Sequence, residues 1–203
     1  MKDMRLTQWA FAVVLGLSVT AIAGAAPQGA QTGPRATANA ADEATAITQF
    51  EAAITSYMAM RQRLRDEITG PVPNSTATEL TRASDSLAAG IQRARAGAKP
   101  GTIFTGPIAD VVKRRVDDVV RRDHLESVLA NIDDEVPTVK TPSIHLRFPA
   151  ASQMATMPPS LLAALPPLPK DLEYRIIGTY LVLRDVDAAL IIDYIPAAVA
   201  RKP

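Results

Sequence analysis

The sequence of 203 residues contains no cysteine. This absence excludes disulfide bonds, thiol catalysis and cysteine-ligated zinc sites, and it also excludes a lipoprotein anchored through a cysteine. A chain of this length buries enough surface to form a core without covalent cross-links. Oxidising compartments permit disulfides without requiring them, so the absence does not argue against export.

The sequence also lacks an excess of charge of either sign. It has 22 basic and 21 acidic residues, and removing residues 1–25 leaves 20 of each. A neutral chain has no global field that would attract nucleic acid or an anionic membrane surface. We therefore expect no nucleic-acid partner.

The one local basic stretch, residues 113–122, contains Asp117 and Asp118 among its cations. The i,i+4 spacing on a helix predicts four ion pairs, which are Lys113–Asp117, Arg114–Asp118, Asp117–Arg121 and Asp118–Arg122. A face neutralised in this way is a poor phosphate binder. We interpret it as a salt-bridged solvent surface, with a partner-docking face as the alternative.

Catalytic signatures are absent as well. The sequence has no G-x-S-x-G, no S-x-x-K, no H-E-x-x-H and no glycine-rich phosphate loop. It therefore predicts a protein that is not an enzyme and has no catalytic, cofactor-binding or metal-binding residues.

The two histidines are His124 and His145. His124 lies near Asp123 and Glu126, but the spacing matches no zinc-binding pattern. A helix places these two carboxylates on different faces from the histidine. We expect His124 to be solvated or hydrogen-bonded in a charged helix.

Asp185, Asp187 and Asp193 lie close together near the C-terminus. They could form a carboxylate pair for acid–base chemistry, but calcium would need more oxygen ligands in a set order. The structural interpretation is favoured: Asp187 stabilises a hairpin turn through local hydrogen bonds. Asp193 then needs solvent or a partner such as Arg175 or Arg184.

The N-terminus has the pattern of a secretory signal peptide. Lys2 and Arg5 precede an apolar run over residues 9–23, and the segment 21–25 contains two overlapping A-x-A sites. We predict cleavage after Ala25, with Ala23 as the alternative. An uncleaved anchor is less favoured because the run is shorter than the roughly 20 residues of a membrane span. The predicted location is periplasmic or secreted.

The mature chain divides into four predicted segments: a disordered leader over 26–41, a helical region over 42–135, a proline-rich connector over 136–170 and a β-meander over 171–196. Within the helical region, apolar stripes predict about three helices that form a small bundle.

The first stripe runs from Ile47 to Ile68, with Arg61 at one of its steps. The second helix is predicted to start near Ser75 or Thr76, where Glu79 completes a capping-box-like opening. The third is predicted to begin after Pro107, to carry six apolar residues between Ile108 and Val120, and to extend to about Asp133.

The connector contains eight of the chain's 16 prolines, with room for a short helix at 160–165 and a strand at 143–148. The predicted fold class is α+β.

The strands of the meander are predicted at 172–177, 180–183 and 190–195. Their sequences, with the preceding Leu165–Pro169, resemble the C-terminus of uncharacterised exported bacterial proteins, and the segment 94–105 is similar to one in their helical half. That family implies no activity. More remotely, Tyr174, Asp185 and Asp193 resemble the tail of the periplasmic nickel/cobalt-homeostasis family, but the histidine-rich segment of a metal handler is missing.

Two classes of function follow. The first is a periplasmic interaction or structural module whose meander presents an edge to a partner, such as an envelope protein. The second is an enzyme or a protein that binds a small molecule or a metal between the helices and the meander. Clustering of Asp185, Asp193, His124 and an arginine in one pocket would favour the second class.

Overall fold

The structure, a computed structural model, describes residues 34–68, 75–129, 141–148 and 157–199. The predicted signal peptide and parts of the leader, the connector and the helical region lie outside these residues. The described elements follow in the order α1 (Pro34–Asp66), α2 (Ala77–Ala94), α3 (Gly106–Asp123), α4 (Pro159–Ala164), β1 (Leu172–Ile177), β2 (Tyr180–Asp185) and β3 (Leu190–Ile195). Helices followed by an antiparallel sheet confirm the predicted α+β class.

Helix α1 begins at Pro34, whereas the sequence predicted a disordered leader up to residue 41. The segment 34–41 contains four alanines, which have the highest helix propensity, and proline is tolerated in the first turn. The predicted stripe of α1 is buried at Phe50, Ile54 and Tyr57. It continues at Arg61, a charged side chain that is only 2% exposed.

Helix α2 starts as predicted. Thr76 is the N-cap, and its side chain and that of Glu79 form a reciprocal capping box. Its predicted stripe is buried at Leu87 and Ile91, but Leu80 remains 51% exposed.

Helix α3 buries all six apolar residues that were predicted between Ile108 and Val120. It ends at Asp123, earlier than the predicted end near residue 133. His124 has a left-handed backbone with φ of 51°, and its N–H donates to the Val120 carbonyl. Histidine is one of the residues enriched in this conformation, which ends a helix. Residues 126–129 are helical again.

The sheet is an antiparallel meander with strand order β1-β2-β3. Strand β2 extends to Asp185, two residues beyond its predicted end. A two-residue connection joins β1 to β2, and Gly178 supplies a positive φ of 60° there. The register of β2 against β3 shifts between Leu183 and Arg184.

The predicted strand at 143–148 pairs with β3 over a short stretch. Arg147 forms an isolated antiparallel bridge with Leu190. The His145 N–H donates to Ile191 O at 2.8 Å, and the Ile191 N–H donates to Leu146 O at 3.0 Å. The connector therefore covers the β3 edge of the sheet.

The sheet buries both faces. The main core joins the apolar stripes of α1, α2 and α3 to one face of the sheet, including Tyr174, Leu183 and Ile192. A smaller cluster on the other face contains Phe148, Ile177, Val182 and Ile191. The meander is thus stabilised by packing on the helices and the connector, as a three-stranded sheet requires.

Candidate functional site

A buried ion cluster joins helix α1 to the turn between β2 and β3. The Arg61 Nε donates to Asp185 Oδ2 at 2.7 Å, and its Nη2 donates to Asp187 Oδ2 at 2.7 Å. The Asp171 carboxylate lies 3.4 Å from Arg61 Nη1, and Arg65 forms a further ion pair with Asp187. One guanidinium therefore holds three carboxylates from the C-terminal region.

Asp185 is fully buried and accepts further hydrogen bonds. The Tyr57 hydroxyl donates to its Oδ2 at 2.8 Å, and the Ala188 N–H donates to its Oδ1 at 2.9 Å. Burial, together with this carboxylate, raises the pKa of Tyr57 far above its ordinary value, so the phenol stays protonated as a donor. Both oxygens of Asp185 thus accept hydrogen bonds from within the fold, and the carboxylate is fully buried.

The second aspartate of the cluster, Asp187, is more accessible. Burial favours its neutral form, but hydrogen bonds from Arg61 and Arg65 outweigh burial and lower its pKa. The sequence predicted that Asp187 stabilises the turn by local hydrogen bonds to the backbone. In the structure Asp185 has that role, through the Ala188 N–H, while Asp187 pairs with two arginines of α1.

Asp193 is fully buried and organises the loop between α2 and α3. Its Oδ2 accepts from Ile103 N at 2.6 Å and Phe104 N at 2.8 Å, and its Oδ1 accepts from Gly101 N at 2.8 Å. The N–H of Tyr194 donates to the same Oδ1 at 2.9 Å. The predicted alternatives, solvent or Arg175 or Arg184, were wrong: Asp193 is satisfied by four backbone N–H groups.

Arg184 and Arg175 pair with a different carboxylate. Each donates to one oxygen of Glu173 at 2.6 Å on the second face of the sheet. Burial acts to raise the pKa of Glu173, but the two guanidinium groups more than offset it and lower that pKa. This triad is thus a cross-strand ion cluster between β1 and β2.

Strand β1 forms the other edge of the sheet, and no strand among the described residues pairs with its outer side. The Val186 N–H donates to Asp171 O at 2.9 Å. Residues 171 and 186, which lie opposite each other, therefore form a hydrogen-bonded pair just before the first pair of the β1–β2 ladder. Because the pairs alternate in an antiparallel ladder, the peptide groups of residues 173, 175 and 177 point toward β2. Those of Leu172, Tyr174 and Ile176 point outward.

The outward peptide groups differ in their partners. The Leu172 N–H donates to Pro169 O at 3.0 Å. Among the described residues, the outward N–H and C=O groups of Tyr174 and Ile176 make no hydrogen bond. Both residues are buried, with exposed fractions of 3% and 9%. An edge strand with unpaired peptide groups is a template for an added strand.

A groove of about 450 Å³ lies along this edge. We call it the β1 groove, and it is lined by Met157, Leu162, Pro166, Pro167, Leu168, Pro169, Lys170, Leu172, Glu173, Tyr174 and Arg175. Four consecutive strand residues line it, although successive side chains point to opposite faces, so the groove follows the edge and not one face. Its lining is mainly apolar, with Lys170, Glu173 and Arg175 as the charged members, and Leu162 is 51% exposed.

A second cavity of about 230 Å³ lies between the ends of α1 and α2 and the turn after β2. We call it the α1–α2 cavity, and it is lined by Arg65, Ile68, Leu80, Ala83, Ser84, Leu87 and Asp187. The Ser84 hydroxyl donates to the Asp187 carbonyl at 2.6 Å, which closes one side of it. Its floor is apolar, and the Arg65–Asp187 ion pair forms its polar rim.

A third, shallow cavity of about 820 Å³ separates α1 from α3 near Glu43 and Arg114. Neither Asp185, Asp193 nor His124 lines any of these three cavities. His124 is exposed at the end of α3. The clustering that would favour an enzyme is therefore not observed in these cavities.

The basic stretch of α3 pairs differently from the prediction. Among the described residues, none of the four i,i+4 pairs forms. Arg114 and Arg115 bind Glu43 of α1, and Arg121 binds Asp118 at i,i+3. Hydrogen bonds from Arg115 lower the pKa of Glu43. Part of this face thus contributes to the contact between α1 and α3.

Sequence reasoning did not predict Arg61, Tyr57 or Arg95 as members of polar clusters. Arg61 carried a signal, because a charged residue occupied one step of an otherwise apolar stripe. Tyr57 and Arg95 had no such signal in the sequence, because their partners lie in β2 and β3, far away along the chain.

No protein-family model, curated protein or solved structure matches this chain. The described residues contain no group of three or more His, Asp or Glu side chains that could hold a metal ion. No described helix is long and apolar enough to cross a membrane.

Proposed function

We propose that this chain is an exported interaction module that binds an extended segment of a partner protein along the open edge of β1. The observation that carries the proposal is the pair of outward peptide groups at Tyr174 and Ile176 beside the apolar β1 groove. Added strands gain affinity from main-chain hydrogen bonds and specificity from side-chain pockets. The β1 edge offers both features.

The use of the other polar groups supports a binding role over catalysis. Asp185 and Asp193 are satisfied by hydrogen bonds within the fold. The β3 edge pairs with residues 145–148. Of the two edges of the sheet, β1 is the one to which no further strand is paired among the described residues.

The groove indicates the chemistry of the partner segment. Alternate side chains of an added strand point to the same face, so every second residue of the segment would enter the groove. Proline, leucine and methionine walls favour apolar side chains at those positions. Lys170 is exposed at the rim and favours an acidic or neutral residue beside them.

The proposal is tested with a displayed library of extended seven-residue peptides. We expect the purified protein to select peptides with alternating apolar residues. Leu162→Lys, which places a charge in the groove, should weaken their binding by roughly tenfold or more, because each buried leucine contributes about 1.5–3 kcal/mol. Leu80→Lys is the matched control, since Leu80 is equally exposed but lies in the α1–α2 cavity.

Equal loss in both variants, or no loss in Leu162→Lys, would contradict binding in the β1 groove. Selection of peptides without an apolar alternation would contradict strand addition there.

Export is tested separately. The signal-peptide pattern predicts that expression in a bacterial host yields a periplasmic or secreted chain beginning at Ala26, or at Gly24 in the alternative. Intact mass and N-terminal sequencing of the fractionated protein check this. A full-length chain that remains in the cytoplasm would refute export but would not test binding at the β1 edge.

The α1–α2 cavity favours a second candidate function, the binding of a small molecule. Its apolar floor and charged rim suit an amphipathic molecule with about one ring. For this function Leu80→Lys is the test variant and Leu162→Lys is the control. Binding of such a molecule should be weakened by Leu80→Lys and retained in Leu162→Lys.

A further inference from the structure

The α1–α2 cavity has an ion pair at its rim, formed by Arg65 and Asp187, and both side chains are open to solvent. Their exposed fractions are 39% and 41%. Both residues line the same cavity of about 230 Å³, together with the apolar side chains of Ile68, Leu80 and Leu87. A molecule that fills this cavity therefore meets a cation, an anion and an apolar surface at the same time.

Asp187 uses only one of its two carboxylate oxygens. Its Oδ2 accepts from Arg61 at 2.7 Å and from Arg65, whereas Oδ1 accepts no hydrogen bond among the described residues. Each oxygen of an ionised carboxylate is an acceptor. The Ser84 hydroxyl, which donates to the Asp187 carbonyl at 2.6 Å, also keeps its own acceptor lone pairs. The rim thus has oxygen acceptors for a donor such as an ammonium group.

Arg65 has open positions of the opposite kind. Its Nη1 binds Asp187, and its Nε and Nη2 make no hydrogen bond among the described residues. A guanidinium carries its N–H donors in a planar fork that matches the geometry of a carboxylate. The rim therefore has a position for an anionic group next to the position for an ammonium group.

A ligand with a single charge matches this rim less well. The ion cluster at the rim contains three carboxylates and two guanidinium groups, which belong to Asp171, Asp185, Asp187, Arg61 and Arg65. An anionic ligand would add to this excess of negative charge. A ligand with only an ammonium group would lie beside Arg65 and leave the open donors of Arg65 without an acceptor. A zwitterion satisfies both positions.

We propose that the α1–α2 cavity binds a free α-amino acid with an apolar side chain of about one ring. The ammonium group donates to Asp187 Oδ1, the carboxylate accepts from Arg65, and the side chain covers Leu80, which is otherwise 51% exposed. The volume sets the size of the ligand, because it is below the range of about 300–1,000 Å³ for drug-sized molecules. The inference rests on the second candidate function, small-molecule binding in this cavity, and is independent of the β1 groove.

The test compares three probes that share one ring. They are L-phenylalanine, 2-phenylethylamine, which lacks the carboxylate, and 3-phenylpropionate, which lacks the ammonium group. Dissociation constants are measured from the amide NMR signals of Ala83 and Ser84 in the purified protein. We expect L-phenylalanine to bind tighter than either analogue by about threefold or more, because water weakens charge-assisted hydrogen bonds at a half-exposed rim. The anion 3-phenylpropionate should bind most weakly.

Two variants separate the roles of the rim residues. Arg65→Gln should remove the preference for L-phenylalanine over 2-phenylethylamine and keep the preference over 3-phenylpropionate. Asp187→Asn should do the opposite. Arg63→Gln is the control, since Arg63 is exposed on the same helix and does not line the cavity, and it should leave all three affinities unchanged. An equal loss for all three probes in both rim variants would show a structural role only and contradict the proposal.

The unmutated protein alone decides between the remaining outcomes, even if Asp187→Asn does not fold. Equal affinities for the three probes, or tightest binding of an analogue with one charge, would overturn the amino-acid ligand while small-molecule binding in the cavity stands. Absence of a saturable shift with any of the probes would overturn this inference and the second candidate function together.

Discussion

Arg61 donates to Asp185 at 2.7 Å across 124 residues of sequence, and both side chains are almost completely buried. This ion pair connects the C-terminal part of α1 to the end of β2. Removing one partner from a buried pair leaves the other charge uncompensated, which typically destabilises a protein by about 3–5 kcal/mol.

We therefore expect Arg61→Met to lower the free energy of unfolding by about 3–5 kcal/mol. Arg63→Met, at an exposed position two residues away, should change it by at most about 0.5 kcal/mol. Denaturant unfolding of the two variants measures the difference. The double variant Arg61→Met/Asp185→Asn should be less destabilised than the sum of its single changes, because the two sites are coupled. Additive losses would contradict a direct interaction.

Asp193→Asn provides a second test of the fold. The carboxylate accepts four N–H groups, so the amide NH₂ of asparagine must face donors of the loop 101–104. We expect a loss of about 1–3 kcal/mol in unfolding free energy, because buried donors lose their acceptor. Amide exchange at Ile103 and Phe104 should accelerate in parallel. Unchanged exchange at these two amides would show that Asp193 does not hold the loop.

The lowered pKa of Asp187 predicts that the free energy of unfolding depends on pH. Its pKa is lowered in the folded state, so its contribution is fully present above the ordinary value of 3.8 and is lost as pH falls through the folded-state pKa. Asp187→Asn should therefore be less stable than the unmutated chain at neutral pH, and the difference should shrink in acid. Urea unfolding across pH measures this. Asp110→Asn, an exposed position on α3 without an ion pair among the described residues, is the control. A difference that grows in acid would reverse the sign and contradict the account.

The Arg61 cluster and the Asp193 loop also define what the sequence can predict. The richness of residues 172–177 and 190–195 in Ile, Leu and Tyr, between turn residues, predicted two strands with their observed bounds, because strand propensity and turn chemistry are local properties. The capping box at Thr76 and Glu79 is local in the same way. Arg61 was identified as a charged step in an apolar stripe, but its partners lie more than 100 residues away.

The acceptor role of Asp193 had no sequence signal at all. Its donors are backbone N–H groups, which every residue except proline carries. The residue types of the loop therefore do not identify it as the partner of Asp193. The sequence predicted that an edge of the meander meets a partner, without saying which edge. Its assignment to β1 required the position of the connector on β3, which depends on the path of the chain through 141–148.

The central claim is that the β1 edge is open and accepts a partner strand, and amide hydrogen exchange along β1 tests it most directly. In the free protein, the outward amides of Tyr174 and Ile176 should exchange much faster than the paired amides of Arg175 and Ile177. Addition of an apolar peptide selected from the library should slow Tyr174 and Ile176 selectively. Slow exchange at both outward amides without peptide, or no protection with saturating peptide, would contradict the account.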